Sequence, residues 1–199
     1  MTLEELEARV QNLEDVEAIK KLQIAYSHYL EHWEEEQLIG LFSNSPDVSV
    51  SAGTGDIVYK GPEGIKKFYH FAYHYPTLQT ATPPPGFLHR LISISGIVDV
   101  DPDGKTAKGR WFAIGFHAGH TAGEANAKLG SGTFENEYVK EDGKWKIKKI
   151  FHNALFYTPY PGGWQHLADT PEPPGPPTFA RYPSGKIFPY HYKNPVTGK

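Results

Sequence analysis

The change from a helical to a strand pattern begins at Leu88-His-Arg-Leu-Ile-Ser-Ile-Ser-Gly-Ile-Val-Asp-Val100, where the period of the apolar residues is two. Three further stretches of strand character follow it, separated by residues that favour turns: 105–117, 132–140 and 144–153. Four successive strands predict a mostly antiparallel sheet.

Helical periodicity occupies most of the chain before this sheet. The apolar spacing predicts three helices, one ending at about residue 31, one at 34–42 and one from 63 to about 75. A short hairpin at 48–60 separates the second helix from the third. This order predicts an α+β fold in which a curved sheet wraps around three helices and forms a cone with one open end.

The length and composition predict one domain with an appendage. The chain has 199 residues, and ten of its seventeen prolines lie from residue 158 onward, where the periodicity disappears. The aromatic residues of this region argue against a disordered tail. We expect a domain at 1–157 and an extended tail at 158–199 that docks on its own or a neighbouring subunit.

Charge and cysteine content narrow the class of protein. The formal net charge is −3 with both signs interspersed, which favours neither nucleic acid nor a membrane surface as a partner. The chain contains no cysteine, so disulfides and thiol nucleophiles are excluded. An acidic N-terminus without a signal-peptide pattern, and the lack of an apolar membrane span, lead us to expect a soluble cytoplasmic protein.

The N-terminal segment carries a short apolar seam. Its members have three-and-four spacing and are Leu3, Leu6, Val10 and Leu13. Two heptads are too few for an independent coiled coil, so the seam predicts a subunit contact. We expect a homodimer, with a trimer as the alternative.

Tyr26 and Glu31 in the first helix, with His89 and His117 on predicted strands, are the first candidates for chemistry. A tyrosine, a carboxylate and imidazoles are groups that serve acid–base catalysis without a cofactor. Positions 26 and 31 are about 140° apart on an ideal helix, so both can reach one cavity only if the helix ends near Glu31. The alternative for each is structural, as a buried core ring, a solvated carboxylate or a satisfied histidine.

Strand alternation indicates which neighbours share a side with the histidines. His89 is expected to share its side with Leu91, Ser93, Ser95 and Ile97, a mixed polar and apolar lining. His117 shares its side with Trp111 and with small residues that would leave room for a ligand.

Several stretches carry a family resemblance: Val16-Glu-Ala-Ile-Lys-Lys-Leu22, Leu41-Phe42 and Lys60-Gly-Pro-Glu-Gly-Ile-Lys-Lys-Phe68. With the element order, they resemble the SnoaL-like branch of the nuclear transport factor 2 (NTF2) superfamily over about residues 10–157. The resemblance implies a cone-shaped NTF2-like domain. The members nearest in appearance are cofactor-free lyases, namely scytalone dehydratase, bile acid 7α-dehydratase and sphingomonad diarylpropane lyase, which deformylates lignin-derived dimers.

The resemblance also implies a set of catalytic residues. The tyrosine and acid of the dehydratases fall on Tyr26 and Glu31, the latter one methylene longer than the family's aspartate. Their histidine at the start of the first long strand falls on His89, which would act as base or proton shuttle, held by Glu31. The second histidine falls on His117, with His120 as the alternative, and a further tyrosine donor falls on Tyr59.

Three more residues are candidates for substrate binding. Trp111 lies on the His117 side of its strand, and Phe68 lies in the third helix. Arg110 flanks this region. Arg90 and Arg110 are exposed-face residues by default, yet either could pair with a substrate phenolate or carboxylate.

Histidine pairs occur at spacings that suggest metal binding: His28 with His32, His70 with His74, and His117 with His120. A catalytic zinc site needs a third ligand, and no His-Glu-x-x-His pattern is present. The glycine-rich nucleotide motifs and Gly-x-Ser-x-Gly are also missing from the sequence. We expect neither a metal nor a cofactor.

The resulting hypothesis is a cofactor-independent lyase for a hydroxylated aromatic or polycyclic small molecule, acting by dehydration or by deformylation of a lignin-derived diaryl compound. One alternative is an isomerase or cyclase of the same superfamily. Another is a non-catalytic module for ligand binding or dimerisation, in which the cone is packed shut or its polar side chains point outward.

Overall fold

The computed structural model describes residues 1–52, 57–73, 87–118 and 127–160. The predicted tail from residue 161 onward lies outside the described residues, as do His74 and His120. None of the helices within the described ranges is long and apolar enough to span a membrane.

The described elements follow the predicted order. The helices are α1 (Leu3–Glu31), α2 (Glu35–Ile39) and α3 (Gly61–Tyr73). The strands are β1 (Ser49–Ala52), β2 (Ile57–Lys60), β3 (Leu88–Val100), β4 (Thr106–Ala118), β5 (Lys128–Glu141) and β6 (Lys144–Pro159). The α+β prediction is confirmed, and β6 extends beyond its predicted end at residue 153.

The six described strands form one sheet in the order β2-β1-β6-β5-β4-β3. Neighbouring strands are antiparallel except for β1 and β6, which are parallel. The sheet is curved and open, and helix α1 packs against one of its faces through contacts such as that between the rings of Tyr26 and Phe134. We call this face the inner face.

Helix α1 begins with a capping box. The Thr2 hydroxyl accepts a hydrogen bond from the Glu5 backbone N–H at 3.1 Å, and the Glu5 carboxylate accepts one from the Thr2 N–H at 2.8 Å. The apolar seam of residues 3–13 is exposed along the first half of the helix. A subunit contact through this seam stays a prediction. The second half of α1 buries its apolar side against the sheet.

Helix α1 ends at Glu31, as predicted. The backbone N–H of His32 donates to the carbonyl of His28 at 3.0 Å, and Trp33 adopts a φ of 57°. A residue in this left-handed conformation turns the chain out of a helix. The Glu31 side chain therefore leaves α1 at its last turn, where it reaches Arg90 of β3.

A buried ion pair fixes the middle of α1 to the sheet. The Lys140 Nζ lies 2.7 and 2.8 Å from the two carboxylate oxygens of Asp15. The Trp145 indole N–H donates to the same carboxylate at 2.8 Å, and the Gln11 amide donates at 3.2 Å. Burial by itself would raise the pKa of Asp15, but these hydrogen bonds and the charge of Lys140 hold it below its usual value.

A network of neutral side chains joins α1 to the sheet further along. The Gln23 side-chain oxygen accepts hydrogen bonds at 2.9 Å from the Asn136 amide and from the Tyr138 hydroxyl. The Trp111 indole N–H donates to the Tyr138 hydroxyl at 3.1 Å, and the Gln23 amide donates to the Ser93 hydroxyl at 3.0 Å. Because a buried polar group is costly when it lacks a partner, this network fixes the rotation of α1 against the inner face.

A β-bulge in β3 changes which face of the sheet the later side chains of the strand point to. The pairing of β3 with β4 shifts between Ile94 and Ile97, and Ser95 there has a φ of 52°. An extra residue reverses the alternation, so Ile97 is exposed whereas Val98 packs against the core. The prediction that His89 shares its side with Ser95 and Ile97 is therefore wrong.

Candidate active site

Small residues occupy the centre of the inner face. Ala113 and Gly115 of β4 are buried and pair with Gly132 and Gly130 of β5. We call these four residues the small-residue patch. Since they offer almost no side-chain volume, the rings of neighbouring residues can lie across them.

His89 and His117 meet at one end of this patch. The two residues are directly paired across β3 and β4. Their ring centroids are 4.8 Å apart, with the planes at 73°. The Tyr157 ring of β6 lies 5.3 Å from the His117 ring. The fold thus brings the two histidines together from different strands.

Two of these rings lean over the glycines of the patch. A β-carbon at position 115 would lie 2.6 Å from the His117 Nε2, and one at position 130 would lie 2.5 Å from the Tyr157 ring. Such distances are too short for a real side chain. Glycine at both positions therefore allows the imidazole and the phenol ring to occupy the inner face.

Tyr26 supplies a buried hydroxyl to the same face. Its hydroxyl accepts a hydrogen bond from the Tyr69 hydroxyl at 3.2 Å, and its ring packs edge-on against Phe134. Burial raises the pKa of Tyr26 to about 12, the hydrogen bond from Tyr69 lowers it, and the electrostatic influence of Tyr157 raises it. At neutral pH the Tyr26 phenol is therefore protonated and able to donate a hydrogen bond.

Glu31 forms an ion pair with Arg90. Its Oε1 accepts a hydrogen bond from the Arg90 Nε at 2.9 Å and another from Nη2. The Glu31 side chain is 13% exposed and that of Arg90 is 41% exposed. Arg90 was expected on the exposed face by default, but the structure shows that it ties the end of α1 to the start of β3, next to His89.

Tyr59 and Phe68 lie together in another part of the core. Their ring centroids are 5.3 Å apart. The Phe68 ring also packs against the Tyr69 ring, with 5.0 Å between the centroids. Tyr59 thus lies beside Phe68 of α3, whereas the two histidines face each other on β3 and β4. Tyr69, the helical neighbour of Phe68, is the α3 residue that reaches the Tyr26 hydroxyl.

Arg110 and Trp111 occupy opposite sides of β4. Trp111 is buried on the inner face, where its indole N–H donates to Tyr138. The Arg110 side chain is 68% exposed, and its Nε lies 3.4 Å from the Glu135 Oε1 on β5. Because successive residues of a strand point to opposite faces, Arg110 does not join the inner-face residues.

Three further residues contribute to this site and were not among the residues predicted from the sequence: Tyr69, Tyr157 and His152. His152 is buried on β6, and its ring centroid lies 4.7 Å from that of Phe134. Burial lowers the pKa of His152. The signal that could have revealed it is its side of the strand, which it shares with the buried Ile150.

The histidine pair at the C-terminal end of α1, His28 and His32, makes local contacts. The His32 Nδ1 lies 2.7 Å from the His28 carbonyl oxygen, and the two rings are stacked at 6.3 Å. Among the described residues, no group of three or more histidine, aspartate or glutamate side chains is placed to hold a metal ion.

Comparisons with known proteins agree with this architecture. Residues 11–150 match the SnoaL-like domain. A protein provisionally named scytalone dehydratase, from Novosphingobium aromaticivorans, has a structure with 22% identity and a TM-score of 0.62, covering 76% of this chain and 91% of that chain. No curated protein matches the chain.

Two further solved structures share the fold. The hexachlorocyclohexane dehydrochlorinase LinA-type3 from Novosphingobium barchaimii is 17% identical with a TM-score of 0.61, covering 78% of this chain and 96% of that chain. An NTF2-like protein with a cystatin-like fold from Novosphingobium aromaticivorans is 20% identical with a TM-score of 0.57, covering 84% and 96%. With its curved six-stranded sheet, its N-terminal helices and the match over residues 11–150, the chain belongs to the SnoaL-like domain family and has the NTF2-like fold.

Proposed function

We propose that the protein is a cofactor-independent lyase that acts by acid–base chemistry on a hydroxylated aromatic or polycyclic small molecule. The observation that carries the proposal is the contact between the imidazoles of His89 and His117 on the inner face. Imidazoles exchange protons near neutral pH, and the buried Tyr26 hydroxyl adds a neutral hydrogen-bond donor to the same face.

Each residue has a defined role in this proposal. His89 removes the substrate proton, and His117 orients the His89 ring or receives the proton from it. The ion pair of Glu31 with Arg90 holds the start of β3, and with it the backbone of His89. Tyr69 donates to the Tyr26 oxygen, which leaves the proton of Tyr26 available for developing negative charge on the substrate.

Two reactions fit these groups. In a dehydration, the imidazole takes a proton from carbon, the electron pair forms a double bond, and hydroxide leaves the adjacent carbon to become water on protonation. In a deformylation, the imidazole takes the proton of a hydroxymethyl O–H, and the C–C bond breaks with release of formaldehyde. The electron pair of that bond then forms the new double bond as a benzylic hydroxide departs. Both reactions need one base and one acid within reach of a single bound molecule.

The names of two structural neighbours support an elimination reaction, since one is called a dehydratase and the other a dehydrochlorinase. The aromatic rings around the small-residue patch suit an aromatic substrate. Because these neighbours are only 22% and 17% identical, the substrate class rests on the lining of this chain rather than on their names.

The proposal is tested by product analysis. The purified protein is incubated in D2O with benzylic alcohols and with diaryl compounds that carry a hydroxymethyl group, and the products are identified by NMR and mass spectrometry. A new double bond with loss of water, or with release of formaldehyde, supports the lyase. Deuterium incorporation without loss of a group indicates an isomerase instead. Binding without any change in the compounds indicates a non-catalytic module.

A further inference from the structure

His152 is a buried imidazole that the proposed mechanism does not use. Its residue is 6% exposed, and it pairs across the strands with Phe134, whose side chain packs against Tyr26 of α1. In the part of the chain that the structure describes, the His152 Nε2 is buried and has no hydrogen-bond partner. Folded proteins rarely leave a buried side-chain nitrogen in this state, so a partner that the described residues do not supply, such as a bound ligand, is indicated.

The imidazoles of His152 and His117 lie over opposite ends of the small-residue patch. A β-carbon at position 132 would lie 2.8 Å from the His152 Nε2, so the imidazole extends over Gly132. The His117 ring extends over Gly115 in the same way, at the other end of the small-residue patch. From the spacing of strands and of residues along them, Gly115 and Gly132 lie on the order of 8 Å apart, and the two Nε2 atoms above them are separated by a similar length. This separation matches the length of one substituted aromatic ring.

The chemistry of His152 limits what it can bind. Burial lowers its pKa, so the ring is uncharged at neutral pH. A neutral imidazole forms hydrogen bonds through its nitrogens and gives no charge attraction to a carboxylate or a phosphate. The Phe134 ring beside it, 4.7 Å away between centroids, offers an apolar surface. A phenolic or alcoholic hydroxyl carried on an aromatic ring satisfies both features.

We infer that His152 is a substrate-binding residue whose Nε2 forms a hydrogen bond with a hydroxyl group of the substrate and holds the other end of the molecule against His117. The inference rests on the proposed function, because it places a hydroxylated aromatic compound in that site. The inference adds a requirement for the substrate, which must carry a hydroxyl group about the length of one aromatic ring away from the bond that breaks.

The test measures binding and needs no turnover. Phenol and toluene are titrated separately into the wild-type protein, since the hydroxyl of phenol is replaced in toluene by a methyl group of similar size. The ratio of their affinities is then measured for His152→Leu and for the control His70→Leu, which alters an exposed imidazole on α3. We expect this ratio to shift by about fivefold against phenol in His152→Leu, the effect of one neutral hydrogen bond, and to stay unchanged in the control.

Equal ratios in the wild type and His152→Leu overturn the inference, and so does a failure of either compound to bind. The first result would follow if a fixed water molecule satisfies the nitrogen. A second measurement covers the case in which His152→Leu does not fold. In the wild type, phenol must shift the ¹⁵N resonance of the His152 Nε2 and toluene must not. Failure of the proposed lyase activity is seen separately, in the product analysis.

Discussion

Replacement of Asp15 by asparagine tests how α1 is held in place. The carboxylate is buried and accepts hydrogen bonds from Lys140, Trp145 and Gln11. Asparagine keeps the shape, but it removes the charge and turns one acceptor into a donor that faces other donors. Breaking a fully buried ion pair typically costs about 3–5 kcal/mol. Since the Lys140 side chain is 21% exposed and keeps part of its hydration, we expect a loss of about 2 kcal/mol in the free energy of unfolding.

The pH dependence of this loss follows from the lowered pKa of Asp15. A carboxyl with a folded-state pKa below its unfolded value of 3.8 stabilises the fold fully above that value. The stabilisation disappears as the pH falls from 3.8 toward the lower folded-state pKa. The stability difference between the wild type and Asp15→Asn should therefore be constant near neutral pH and decrease in acid.

Urea denaturation at several pH values measures the loss of unfolding free energy and its dependence on pH. We expect Asp15→Asn to shift the urea concentration at the midpoint and to leave the dependence of the free energy on urea unchanged. The matched control is Glu17→Gln, because Glu17 lies on the same helix, is 70% exposed and pairs with Lys20 on the surface. We expect little or no change in this control. Equal stability of Asp15→Asn and the wild type at pH 7, or a difference that persists undiminished in acid, would show that the Asp15 carboxylate does not stabilise the fold through this ion pair.

Three further predictions concern the site. Gly115→Ala places a β-carbon 2.6 Å from the His117 Nε2 and should displace the His117 ring. We expect turnover to fall by about tenfold or more, with a small change in melting temperature. Unchanged turnover would contradict the packing of His117 over Gly115. Tyr26→Phe removes the hydroxyl bonded to Tyr69 and should lower kcat by about 10–100-fold, whereas an effect on KM alone would show that Tyr26 only binds substrate. Burial lowers the pKa of His152, so the neutral ring stabilises the fold fully above the unfolded pKa of 6.5, and this stabilisation is lost as the pH falls below that value. His152→Leu should therefore flatten the dependence of the unfolding free energy on pH in that range. A dependence as steep as that of the wild type would count against burial as the cause.

The sequence was sufficient for the fold because strand and helix periods are local signals. The period of two over Leu88–Val100 and the helical spacing up to Glu31 correspond to β3 and α1 with the predicted ends. The strand β6 was predicted too short, since its last residues are fixed by pairing with β5, as in the pair of Lys128 with Pro159. Such long-range pairing leaves no local pattern.

The site was only partly predictable for the same reason. The pairing of His89 with His117 follows from two adjacent strands, which the sequence could place. The ion pair of Glu31 with Arg90 joins residues far apart in sequence, at a helix end and an edge strand. His152 was missed because its side of β6, which it shares with Ile150, does not show what lies across the sheet, and its contact with Phe134 depends on the long-range pairing of β6 with β5.

The most direct test of the proposed acid–base site is the turnover of His89→Ala on a compound that the wild type converts. We expect the wild type to release water or formaldehyde from a hydroxylated aromatic compound. We expect His89→Ala to do so at least about 100-fold more slowly, with its melting temperature preserved, whereas His70→Ala remains as active as the wild type. Full turnover by His89→Ala would show that His89 is not the base.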